Sequence, residues 1–323
     1  MRSVPKARQG SRSSNASSLS RRTLLTGAGA LAAGAMAGFG IRPLWANPIS
    51  LSDGEVQVFS DGNLGLPMNF ILPEQTEAEI AALMEPHGLS TTMLTPDCNV
   101  TLLRRGDRIA LFDVGSGSNF QPTAGELLSG LEEAGVDPSD ITDVIFTHAH
   151  PDHLWGVLDE FDDPVFSEAR YLVPQAEWDY WMADDTLANM PEERKSFVVG
   201  AQSRFEAISD QVEMINPGQE VFPGVEALDT SGHTPGHTSY MIHDGSESLL
   251  VLGDAISNAV ISFERPEWHS GSDQDREKGA QTRKSLLDRL ANDQSRIIGY
   301  HLPNPGIGRA ERDGTAYRFV AES

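Results

Sequence analysis

"FTHAHPDHLWG", Phe146–Gly156, sets four side chains able to hold a metal ion, His148, His150, Asp152 and His153, within six residues. It continues the apolar run "DVIF" (Asp143–Phe146), which has the length of a short strand. In extended backbone, side chains two apart point the same way, so the imidazoles of His148 and His150 can face one point. Pro151, with its fixed φ, helps turn the chain so that Asp152 and His153 come back toward it. Four adjacent ligands do not readily wrap one tetrahedral ion, but they can serve two neighbouring ions with two ligands apiece.

The remaining partners lie downstream. "DTSGHTPGHTSY" supplies His233 and His237, "LGDA" supplies Asp254 and "YHLPNPG" supplies His301. We assign one ion to His148, His150 and His233, and the second to Asp152, His153 and His301. Asp254 bridges the two, because a carboxylate can offer one oxygen to each cation. Nitrogen and oxygen ligation without thiolate suits zinc, and also manganese, iron or cobalt. His237, four residues past His233, is read as a partner that supports a ligand rather than as a ligand. Asp113 either orients a ligating imidazole or caps its strand and binds the "GSG" loop that follows. His87, His243 and His269 lack any such context and are read as surface or ordinary core residues.

The wider pattern explains how distant residues could meet. Asp113 ends "IALFD", His148 follows "VIFT", His233 lies just past "VEALD", Asp254 ends "LLVLGD" and His301 ends "RIIGYH". Five apolar runs of strand length each finish on or beside a metal-capable residue, as expected when strand ends converge on one edge of a sheet. "NVTLLRRGDRIALFDVG" (Asn99–Gly115) reads as two strands around a turn. "PTAGELLSGLEEAG" (Pro122–Gly135), "EERKSFVVGAQSRFEAIS" and "DREKGAQTRKSLLDRLAND" read as helices. The expected class is α/β, with one mature domain.

"THAHPDH", with the later "GHTPGHT", "GDA" and final His, resembles the metallo-β-lactamase fold superfamily of metallohydrolases. The resemblance covers about residues 55–320. It implies a four-layered αββα sandwich with two metals, most simply zinc, at one edge. "ISFERPEWHSGSDQD" and "GYHLPNPGIGRAERDGTAYRF" resemble the branch that holds methyl parathion hydrolase and its exported lactonase- and esterase-like relatives. In that branch aromatic side chains line the leaving-group pocket, and the matching positions are Phe120, Trp181 and Phe197. The implied reaction is hydrolysis of a neutral small-molecule ester: a lactone, an aryl ester or a phosphotriester. The hydroxide bridging the two cations attacks, Asp152 and Asp254 hold it in place, and the metals stabilise the developing oxyanion. True β-lactamases lack the bridging Asp, so Asp254 argues against that activity. A thioester hydrolase like glyoxalase II, or a phosphodiester hydrolase, is the rival enzyme reading. An inactive metal-binding relative is the non-enzyme reading, which the intact ligand set disfavours.

Charge and targeting complete the expectation. The 323 residues carry 47 Asp and Glu against 24 Lys and Arg, a net charge of −23 that disfavours nucleic acid as a partner. Residues 1–46 hold seven basic residues and no acidic one, and "SRRTLL" (Ser20–Leu25) resembles a twin-arginine export signal. The charge-free run Leu24–Ile41 follows, then "LWA" (Leu44–Ala46) as a cleavage point, so residues 47–323 form the expected mature hydrolase domain. Passage through the twin-arginine translocase would place it in the periplasm. An uncleaved anchor is the other reading of residues 1–46, because the apolar run is marginal for a membrane span. The single Cys98 cannot form an internal disulfide and reads as a small core residue. Dimers are common among proteins of this kind, which leaves a homodimer open.

Overall fold

A computed structural model describes residues 44–322. The export segment falls outside them, except for Leu44–Ala46. Among the described residues no helix is long and apolar enough to cross a membrane.

Two seven-stranded sheets face each other. The first runs, in spatial order, Ile49–Leu51, Gly54–Asn63, Asp97–Arg105, Arg108–Phe112, Asp143–Ile145, Arg170–Pro174 and Val212–Ile215. The second runs Glu220–Phe222, Val225–Asp229, Thr238–Asp244, Glu247–Val251, Arg296–Ile298, Ile307–Asp313 and Ala316–Ala321. Period-two alternation decides the layering. Phe112, Ile145 and Leu172 point inward to meet Tyr240, Ile242, Val251 and Ile298 of the opposite sheet. Their neighbours Leu111, Val144, Tyr171 and Val173 point outward into a core shared with the helices Leu127–Glu133 and Lys195–Ile208. On the far side Met241, Leu250 and Ile297 face Leu286, Leu287 and Leu290 of the helix Arg276–Asp293. Helix, sheet, sheet and helix are therefore stacked as a four-layered αββα sandwich.

The hairpin read from Asn99–Gly115 forms, with Gly106 at φ 64° in its turn. The helix expected over Pro122–Gly135 is shorter, Leu127–Glu133. Gly125 at φ 94° breaks the run before it, and Asp61 Oδ1 takes the N–H of Leu127 at 3.0 Å to begin the helix. The segment between the second and third strands of the first sheet, residues 64–96, forms a small body of its own. Its helix Glu77–Met84 starts at a capping box between Thr76 and Glu79. Met68, Ile71, Leu72 and Leu94 pack there against Val260 and Ile261, which places this body beside the loop that follows Asp254.

Candidate metal centre

Each strand-end residue arrives at the same edge. The strand Asp143–Ile145 runs out into Thr147–His150, and Pro151 opens a one-turn helix, Pro151–Leu154, with His150 at its N-cap. His233 and His237 occupy the connection before Thr238–Asp244, Asp254 follows Glu247–Val251, and His301 follows Arg296–Ile298. All seven expected ligands are buried.

His148 Nε2 lies 3.0 Å from His150 Nδ1, which in turn lies 2.9 Å from His233 Nε2. Hydrogen bonding fixes the tautomers. His233 Nδ1 donates to Asp273 Oδ1 at 2.9 Å, which leaves a lone pair on Nε2. His148 Nδ1 meets Thr147 Oγ1 at 3.0 Å, and that hydroxyl already donates to Asp113 Oδ2 at 2.8 Å. His148 therefore donates, and its Nε2 is also a bare acceptor. Two acceptors converging on one ring nitrogen cannot both be satisfied by a single proton. A cation at their common centre satisfies all three.

The second group faces the same space. His153 Nε2 is 3.4 Å from Asp152 Oδ2 and 3.3 Å from Asp254 Oδ1. His301 Nε2 is 3.2 Å from Asp152 Oδ2 and 3.3 Å from Asp254 Oδ2. Asp254 Oδ2 also lies 3.4 Å from His233 Nε2, so this carboxylate stands between the two groups. Asp152 Oδ2, His153 Nε2 and Asp254 Oδ1 are buried and have no hydrogen-bond partner among protein atoms. Unpaired buried carboxylate oxygens are costly. Burial disfavours a proton on His153, but Asp152, Asp254 and Asp113 outweigh it and push its pKa well above the ordinary range. The surroundings demand positive charge, and the donor set fits two divalent cations.

The supporting residues are equally specific. Asp113, at φ 63°, takes the His153 Nδ1 proton at 2.8 Å and the N–H of Thr147 at 2.7 Å. The "GSG" loop is held instead by Asp61, whose Oδ2 accepts from the Ser116 amide at 2.8 Å and hydroxyl at 2.9 Å. His237 is no ligand here. Its Nε2 accepts the backbone N–H of Asp254 at 2.9 Å and its Nδ1 meets Thr230 Oγ1 at 2.8 Å. Burial pushes its pKa down to about 3, which keeps that ring neutral. Gly253, at φ 55°, leaves room for this contact, since a Cβ there would lie 2.7 Å from His237 Nε2.

Four supports escaped the sequence reading. Glu177 accepts Ala149 N (2.9 Å) and Trp181 Nε1 (2.6 Å) on one oxygen, and Thr234 Oγ1 (2.7 Å) and Gly236 N (2.9 Å) on the other. One buried carboxylate thus ties the "HAH" loop to the "GHTPGH" loop. Tyr300 donates to the Asp152 carbonyl at 2.5 Å and lies against the His153 ring, centroids 3.8 Å apart. Asp273 is clamped between His233 and Arg283, whose Nη2 lies 2.7 Å from Asp273 Oδ2. Asp273 sits in the quoted "SGSDQD", but nothing local to the chain announces that it faces His233.

Cys98 is buried in the core, as read, yet its sulfur lies within 4.8 Å of ligand atoms of Asp152 and His301. Burial pushes its thiol up to about 12, so it stays protonated there. The three expected pocket aromatics separate into two kinds. Phe197 and Trp181 each meet the His150 ring edge-on, with centroids 6.2 and 5.9 Å away. Phe120 packs edge-on against Phe197 at 5.9 Å. Phe120 and Phe197 are half-buried, whereas Trp181 is wholly buried with its indole N–H given to Glu177. Trp181 is a wall behind His150.

Known proteins share this fold. AidC, a dizinc quorum-quenching lactonase solved in complex with a product, superposes with a TM-score of 0.82 at 28% identity, over 87% of this chain and 99% of its own. The hydrolase AbOPH shares the fold, with a TM-score of 0.79 at 24% identity over 85% and 97% of the two chains. In sequence, the metallo-beta-lactamase domain-containing protein 1 of Xenopus laevis is 32% identical over 170 residues, 50% of this chain and 55% of its own. The N-acyl homoserine lactonase of Bacillus cereus is 27% identical over 149 residues, 44% of this chain and 49% of its own. The chain spans about half the length of the curated relatives it matches. The model of the metallo-beta-lactamase superfamily matches residues 95–301, a stretch that holds every one of the seven converging side chains, and the chain belongs to that superfamily.

Proposed function

We propose that the protein is an exported, dinuclear metal-dependent hydrolase of neutral esters, of the lactone, aryl ester or phosphotriester kind. The observation that carries this reading is the pair of facing donor groups: three converging imidazole nitrogens beside buried carboxylate oxygens without protein partners. His148, His150 and His233 would hold one ion, Asp152, His153 and His301 the other, and Asp254 would touch both. Zinc suits these donors, and manganese, iron or cobalt would also fit. Bound there, such cations would supply an acidified water as nucleophile and a Lewis acid for the scissile C=O or P=O.

The chain's own residues do the positioning. Asp113, Asp273 and the Asp97 carbonyl, the last 2.8 Å from His301 Nδ1, hold the far nitrogens of three imidazoles so that the near ones present lone pairs. His237 orients Asp254 through its backbone. Phe120 and Phe197 offer an apolar face beside His150 for an aryl or alkyl leaving group. Support for an ester substrate comes from lactonases among the relatives. The basic, twin-arginine-bearing head supports export to the periplasm through that translocase; a homodimer is compatible with this reading and is not required by it.

The test is direct. The purified chain, loaded with zinc and washed, should hold two ions by mass spectrometry and hydrolyse members of a panel of lactones, aryl esters and phosphotriesters. One ion per chain under replete conditions would overturn the dinuclear reading, and inactivity across the panel would overturn the ester reading.

A further inference from the structure

The helix Gln175–Met182 follows the strand Arg170–Pro174 and buries one carboxylate, that of Glu177, completely. Its two oxygens divide between two loops. Oε1 takes the N–H of Ala149, which lies between His148 and His150, at 2.9 Å and the indole N–H of Trp181 at 2.6 Å. Oε2 takes the N–H of Gly236 at 2.9 Å and the hydroxyl of Thr234 at 2.7 Å, on the loop that carries His233. The two amides and the indole can only donate, so this is the donor set of an ionised carboxylate. The contact is close as well as polar, since a Cβ on Gly236 would lie 2.1 Å from Glu177 N. Trp181, fixed by the same carboxylate, stands edge-on to His150 with centroids 5.9 Å apart.

All four partners of Glu177 are uncharged. Burial pushes its pKa up, and those donors oppose the rise. A buried negative charge without a cation beside it is costly. Asp273, behind His233, is by contrast paired with Arg283 at 2.7 Å. The two donor groups also differ in charge. His153 and His301 face both Asp152 and Asp254. His148, His150 and His233 have only Asp254, 3.4 Å from His233 Nε2, and they share it with the second group. An ion among three neutral imidazoles gains from a further carboxylate nearby, and Glu177 supplies one.

We propose that Glu177 is a positioning residue for the three-imidazole group. It holds the two loops together and sets a negative charge beside them, so it strengthens binding of the ion there and not of the ion at Asp152, His153 and His301. That second group is supported elsewhere, by Asp113, Tyr300 and the Asp97 carbonyl. The assignment rests on the two-ion reading given above.

The test measures zinc affinity, by competition with a chromophoric chelator, in two backgrounds. His301→Ala weakens the second group and leaves the first, and His148→Ala does the reverse. Glu177→Gln is close in shape but uncharged. It should weaken zinc binding about 10–100-fold in the His301→Ala background, the scale for residues that support a metal ligand, and leave it unchanged in the His148→Ala background. The visible spectrum of cobalt bound to the same proteins should shift in the His301→Ala background only. Equal weakening in both backgrounds, or none in either, would overturn the proposal. Should Glu177→Gln fail to fold, Thr234→Val, which removes one donor from Oε2, should still weaken zinc about fivefold in the His301→Ala background alone, the scale of one hydrogen bond. Loss of that selectivity would equally overturn the proposal. A wild type that binds one ion would overturn the two-ion reading and the proposal with it. Two ions in the wild type without the selective effect would overturn the proposal and leave that reading standing.

Discussion

His237 accepts the backbone N–H of Asp254 through its Nε2 at 2.9 Å, so an imidazole that touches no ligand atom sets the direction of the carboxylate between the two donor groups. His237→Leu would leave that amide buried and unpaired. We expect a loss of about 1–3 kcal/mol in folding stability from the unpaired donor, and metal affinity weakened about 10–100-fold through misorientation of Asp254. Urea unfolding of the metal-free protein checks the first, and competition with a chromophoric chelator checks the second. An unchanged metal affinity would assign His237 to packing alone.

Asp61 holds the loop at Gly115–Gly117 and the start of the helix Leu127–Glu133 from a buried position, and burial raises its pKa to about 6. A carboxyl whose folded pKa is raised contributes most below its unfolded value, near 4, and that contribution is lost as pH rises through 6. Asp61→Asn should therefore compare least favourably with the wild type near pH 4 and most favourably above pH 7. Unfolding by urea at matched pH, with both proteins stripped of metal, measures the difference. A difference that is flat from pH 4 to pH 7 would refute the assignment.

Much of the candidate centre could be read along the chain, because its converging side chains follow strand ends and strand ends carry local signals. The spacing of His148 and His150 alone suggests that they face together, and the structure brings His148 Nε2 within 3.0 Å of His150 Nδ1. The layering followed from alternation, as with Leu111 and Phe112, which point into different cores. What stayed hidden is whatever depends on a side chain crossing between segments. Glu177 lies in the helix Gln175–Met182 and looks like an ordinary surface carboxylate there, yet it bonds to residues 28 and 59 positions away. Arg283 reads as one more polar residue of an amphipathic helix, and only the fold turns it toward Asp273. The helix Glu77–Met84, by contrast, carries a local signal in the capping pair Thr76 and Glu79.

Leu44 and Ala46 pair with the strand Gly54–Asn63, through Ser60 N to the Leu44 carbonyl at 2.7 Å and Ala46 N to the Val58 carbonyl at 2.8 Å. Trp45 between them packs against the outer core. A protein beginning at Asn47 should therefore be less stable than one beginning at Leu44, by about 2–3 kcal/mol for two hydrogen bonds and part of an indole. Thermal unfolding of the two forms decides it. Equal melting temperatures would show that removal of Leu44–Ala46 costs the domain nothing, and would fit cleavage after Ala46.

Chelation should destabilise the protein more than any single support can. A ligand that binds only the folded chain, present at a thousandfold above its dissociation constant, adds about 4 kcal/mol. For a domain of this size that corresponds to a melting temperature higher by on the order of 10 °C. Zinc-loaded wild type should thus melt well above the same protein in excess chelator. Asp254→Asn places an amide where a shared carboxylate oxygen stands 3.3–3.4 Å from both His301 and His233, and should forfeit most of that increment along with one ion per chain. Scanning calorimetry with and without chelator, with metal content measured on the same samples, provides the check. A full increment retained by Asp254→Asn would remove this residue from between the ions and leave each donor group to hold its cation alone.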